Sequence, residues 1–102
     1  MSAKAILQEA HRVLSDGGAW TQKELCDKAG TKFCLVGALI QSEFNLNLTD
    51  ADRIAAQDAL EEAIGKTALK GISLAQWNDK QKSKAHVLSA ITKAVGVLNG
   101  EV

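Results

Sequence analysis

Apolar residues recur at helical spacing along most of the chain, and glycines and capping residues break the pattern into segments. Ile6, Leu7, Ala10, Val13 and Leu14 fall on one face of a helix from about Ala3 to Ser15, with Asp16-Gly17-Gly18 as its stop. Thr21 and Glu24 have capping-box spacing, and Trp20 and Leu25 have staple spacing, which predicts a short helix ending near Ala29 before Gly30. The run Phe33 to Ile40 is apolar on every side. It reads as a buried helix continuing to Glu43 or Phe44, with Gly37 and Ala38 admitting a close neighbour, or as a short central strand. Helix is preferred, because no other segment looks like a strand to pair with it. Thr49 is an N-cap, with Asp50 and Asp52 in the first turn, for a helix that runs to Ile64 and stops at Gly65. Its inward stripe is Ala56, Leu60, Ala63 and Ile64. Lys66 to Gly71 reads as a loop. Ser73 and Gln76 repeat the capping box, and Ile72 and Trp77 repeat the staple, so a short helix carries Trp77, Asn78 and Asp79. Val87, Leu88, Ile91, Ala94, Val95 and Leu98 mark a last helix from about Lys82 to Leu98. The expected fold is all-α: a single domain over residues 1–102, built as a small bundle of four main helices plus one or two short ones.

Composition supports that reading. Proline and tyrosine are absent and there are two phenylalanines, whereas sheet-rich domains draw on more aromatic and β-branched residues. A chain of 102 residues holds one core, with a stability on the order of 5–10 kcal/mol. The formal net charge is zero, which argues against a nucleic-acid binder or an anionic-membrane binder. The charge is nevertheless segregated. Glu43 to Glu62 holds six acidic residues and one basic, whereas Lys66 to Lys93 holds six lysines and one acid. Either the two halves attract each other in the fold, or one of them steers a partner. No apolar run approaches the roughly 20 residues that cross a bilayer, and the N-terminus lacks a signal-peptide pattern. Two cysteines form no disulfide framework and fit a reducing compartment, so the chain reads as cytoplasmic.

Three stretches stand in a distinctive order: Trp20-Thr21-Gln22, then Cys34-Leu35-Val36-Gly37-Ala38-Leu39, then Trp77-Asn78-Asp79 ahead of Val87-Leu88. Together, from about Leu7 to Val95, they resemble a family of small bacterial and phage proteins catalogued as domain of unknown function 6197. The chain departs from that pattern in its lysine-rich Lys80–Lys84 stretch. The resemblance implies a shared fold and a bacterial or phage source. It carries over no activity.

Each candidate for chemistry has a plain alternative. Cys34, at the start of the central helix, would be a nucleophile if the helix end lowered its pKa and His86 with Asn78 or Asp79 completed a triad; otherwise it is a small core residue. Cys26, Cys34, His11 and His86 follow no zinc-ligand spacing, and no cofactor motif is present. Lys80, Lys82 and Lys84 would serve a nucleic-acid binder but lack interleaved arginine or aromatic residues. Trp77, Asn78 and Asp79 read either as a recognition site or, preferably, as core filling and capping. The expected function is a non-catalytic protein-interaction module, such as a phage-encoded modulator of a host protein. Its candidate contact residues are Asp58, Glu61, Glu62, Trp77, Asn78 and Asp79, and a homodimer is a further possibility.

Overall fold

The computed structural model describes residues 2–16, 19–65 and 69–100. Among them are five helices: α1 (Ser2–Ser15), α2 (Leu35–Leu46), α3 (Asp50–Ile64), α4 (Leu74–Lys80) and α5 (Lys84–Leu98). The architecture is the expected all-α bundle of four main helices and one short one. Gly17, Gly18 and Lys66–Ala68, where a helix stop and the start of a loop were expected, lie outside the described residues.

Local signals set several helix ends. Thr49 caps α3 with a full capping box: its hydroxyl accepts from the Asp52 N–H, and the Asp52 carboxylate accepts from the Thr49 N–H. Ser73 and Gln76 do the same for α4. Asn47 closes α2 in the left-handed conformation, its N–H reaching the carbonyls of Glu43 and Phe44. One core cluster takes side chains from all five helices, centred on Ile6, Leu7, Leu35, Leu39, Leu60 and Ile91. The α1 stripe is buried throughout. In α3, Ile64 is half-buried and Ala59 joins Ala56, Leu60 and Ala63 inside.

The short helix expected between Thr21 and Ala29 does not form. The Thr21 hydroxyl does bond to the Glu24 carboxylate at 3.2 Å, but the backbone is extended or bent and Lys23 takes a positive φ of 68°. Its polar groups bond across the loop instead of along a helix. Thr21 N–H donates to Phe33, Phe33 N–H to Ala19, Asp27 N–H to Lys32, and Cys34 N–H to Leu25. The Asp27 carboxylate also accepts from the N–H groups of Thr31 and Lys32, fixing the turn between them. Phe33 therefore lies in extended backbone, bridged to Trp20 and Cys26, and the helix starts only at Leu35. The preferred helix reading holds from Leu35 on, and the strand alternative does not: Phe33 makes isolated bridges only. Leu25 is 49% exposed, and without a helix in this stretch the Trp20–Leu25 staple has no helix start to hold.

Gly37 has the expected role with a different neighbour. It is the loop that approaches, not a helix: a Cβ at residue 37 would overlap the Leu25 backbone carbonyl.

Candidate functional site

The Trp77-Asn78-Asp79 segment of α4 is where the loop of residues 19–34 is fastened. Asn78 is fully buried. Its Oδ1 accepts from the Trp20 Nε1–H at 2.7 Å and from the Leu35 N–H at 3.1 Å, and its Nδ2 donates to the Thr21 carbonyl at 3.1 Å. One side chain thus joins α4, the loop and the first turn of α2, where a helix leaves N–H groups without helical partners. Gln22 completes the fastening. Its Nε2 lies within 3.1 Å of the carbonyls of Asn78, Asp79 and Gln81, the open end of α4. Asp79 is exposed, yet its carboxylate accepts the Lys23 N–H at 2.7 Å. As candidate contact residues, Trp77 and Asn78 are therefore corrected. Both are interior, and the tryptophan fills the core while the amide satisfies buried backbone. The other tryptophan, Trp20, is half-buried against the same core.

Cys34 is 2% exposed and acts as the N-cap of α2, its Sγ accepting from the Gly37 N–H at 3.3 Å. Burial pushes its thiol pKa up, and the Gly37 N–H offsets this only in part. That is the reverse of what a nucleophilic thiolate needs. His86 is exposed on α5 and is not a hydrogen-bond partner of the thiol. Cys26 is exposed. Among the described residues no group of three histidine, cysteine or acidic side chains is placed to hold a metal ion. Of Lys80, Lys82 and Lys84, the last opens α5 and is taken up at the end of α1, its Nζ within 3.5 Å of the carbonyls of Ser15 and Asp16.

The outward side of α2 and α3 is different in kind. The first half of α2, Leu35–Ile40, is apolar all round, a pattern expected to be buried all round, but α2 also has an exposed apolar side. Leu35, Ala38, Leu39 and Ser42 face the core, but Phe44 is 80% exposed and Ile40, one turn before it, 41%. On α3, Ile54 is 50% exposed. The two helices are joined by Arg53, whose Nε donates to the Glu43 carboxylate at 2.7 Å and whose other nitrogen lies 3.5 Å from Asp50. These partners raise the Arg53 pKa, with Glu43 the leading cause. Nearby, Val36, Gln57, Glu61, Leu74 and Ala75 line a groove of about 270 Å³ between α2, α3 and the start of α4. Sequence reading missed Ile40 and Phe44 as surface residues. The signal was a second apolar stripe, Val36-Ile40-Phe44 at four-residue spacing, beside the core stripe Leu35-Ala38-Leu39-Ser42.

The acidic stretch divides in two. Glu43 and Asp50 pair with Arg53, and Asp52 caps α3. Asp58, Glu61 and Glu62 are exposed and make no ion pair among the described residues. No ion pair among the described residues joins the acidic stretch to the lysine-rich one, so the expected attraction between halves takes no paired form. Asp58, Glu61 and Glu62 also line a second concavity, of about 380 Å³, with Gly65 and the buried Leu69.

The family described as "Family of unknown function (DUF6197)" matches residues 1–96, and the chain belongs to it. No curated protein and no solved structure matches the chain. No helix among the described residues is long and apolar enough to cross a membrane.

Proposed function

We propose that this member of the DUF6197 family is a non-catalytic protein-interaction module whose working surface is the outward side of α2 and α3. One observation carries the reading: Phe44 is 80% exposed on a helix whose apolar residues Leu35, Ala38 and Leu39 are committed to the core. Scattered surface apolar residues are ordinary, but an aromatic ring with an isoleucine one turn away is the composition of an interface anchor. The rival sites offer less. The Cys34 thiol is buried with a raised pKa, and of Lys80, Lys82 and Lys84 the last is taken up at the end of α1. The free thiols of Cys26 and Cys34 suit a cytoplasmic setting. A phage-encoded modulator of a host protein is the form this module takes if the source is the one the sequence resemblance implies.

The test is affinity capture from lysate of the source bacterium, or of the host if the gene is phage-borne, with the wild-type chain beside Phe44→Ser. Residue 44 lies outside the core, so the variant keeps its helicity by circular dichroism. A stoichiometric protein retained by the wild type and lost with Phe44→Ser supports the reading. Equal capture by both, or none by either, rejects it.

A further inference from the structure

We infer that the partner docks a basic amphipathic helix on this surface, with apolar residues against Ile40, Phe44 and Ile54 and cationic residues over Asp58, Glu61 and Glu62; the inference rests on the reading of this surface as an interface. Ile54, Asp58 and Glu61 recur at helical spacing, so the apolar and acidic groups share one outward stripe of α3. Glu61 also borders the groove that Val36 and Leu74 floor. The carboxylates therefore stand beside apolar surface, not on an isolated charged face. That combination suits lysine and arginine, whose methylene stems cover apolar floor while their heads reach an acid at the rim.

The placement of these charges is unfavourable for the free protein. Asp58 sits three residues from Glu61 and four from Glu62, spacings at which like charges repel along a helix. Glu61 and Glu62 occupy the last turn of α3, where the helix dipole is negative and the turn itself carries no basic residue. The other three acids of the same stretch each have a local partner. Cations supplied by a second molecule relieve both repulsions at once, whereas an acidic or neutral apolar helix relieves neither.

The test is titration of the ¹⁵N-labelled protein with designed 14-residue amphipathic helices that share one leucine stripe and carry lysine, glutamine or glutamate on the flanks. Spermine serves as a cation without an apolar face. The lysine peptide should bind at least ~10-fold tighter than the other three probes, and shift amides of α2 and α3. Binding should weaken at least ~10-fold in D58N/E61Q/E62Q and between 50 and 500 mM salt. It should weaken likewise in Phe44→Ser. The glutamine or glutamate peptide binding equally well, an unchanged D58N/E61Q/E62Q variant, shifts confined to other helices, or no binding of the lysine peptide each overturns the proposal. None of these touches the parent reading, which capture with wild type and Phe44→Ser tests separately. Self-association of the free protein that is lost in Phe44→Ser would assign the face to a second copy and also overturn it.

Discussion

Replacing Asn78 with alanine tests whether the Trp-Asn-Asp segment is a fastening for the loop of residues 19–34. The substitution strands three groups: the Trp20 indole N–H, the Leu35 N–H and the Thr21 carbonyl. A buried polar group left without its partner costs about 1–3 kcal/mol. Trp20 and Thr21 are half-buried, so water recovers part of their loss, whereas the Leu35 N–H belongs to a fully buried residue. The sum is roughly 3–5 kcal/mol, a large share of the ~5–10 kcal/mol that a domain of this size has. Urea unfolding followed by circular dichroism measures it directly, and the melting temperature should fall by at least ~12 °C. Trp20→Phe removes the indole donor while keeping most of the ring, so a double-mutant cycle with Asn78→Ala isolates that one bond. A coupling of about 0.5–2 kcal/mol is expected. A cost below ~1 kcal/mol for Asn78→Ala, or no coupling to Trp20, would refute the fastening.

Other substitutions probe the same account from different sides. Gly37→Ala drives a methyl group into the Leu25 carbonyl, so the loop must move away from α2 at a cost of about 1–3 kcal/mol in urea unfolding; unchanged stability would show that the contact is loose. In native protein a disulfide reagent should label Cys26 at once and Cys34 only at the rate of opening, because the latter thiol is buried and its pKa is raised. Two equally fast thiols would revive Cys34 as a reactive group. Glu9 accepts from Arg12 at 2.6 and 2.8 Å, and this pairing, with help from Asn45, holds its pKa below the ordinary 4.5. The folded value is the lower one, so the stabilisation is complete above the unfolded pKa and is lost as pH falls through the folded one. The stability difference between wild type and Glu9→Gln should shrink over that acid range; a difference independent of pH would contradict the assignment.

What could be read in the chain beforehand follows the reach of each interaction. The capping boxes at Thr49 and Ser73 join residues three apart, and the α1 stripe repeats every turn, so both stood in the linear pattern and both formed. The stretch after Trp20 carried the same local capping signal and did not become helical. Its decisive partners, Asn78, Asp79 and Phe33, lie elsewhere in the chain, and they satisfy backbone groups that a helix would otherwise have used. The Trp77-Asn78-Asp79 motif was visible as unusual, but a buried amide serving three elements is a property of the assembled fold. For the Leu35–Ile40 half of α2, the sequence is apolar on every side, and periodicity could not say which stripe the other helices would cover. The exposure of Phe44 follows from the fold burying Leu35, Ala38, Leu39 and Ser42 instead. For Asp58, Glu61 and Glu62 the acidic excess was legible, while the division between paired and unpaired acids depended on where Arg53 points.

The most direct test of the central claim places a photo-crosslinking phenylalanine analogue at position 44 in living cells, beside a control at the exposed Lys93 of α5. The account predicts one discrete adduct from position 44 and none from position 93. Adducts from both positions alike, or none from position 44 while the protein is folded and abundant, would contradict the assignment of the α2–α3 surface as the site of interaction.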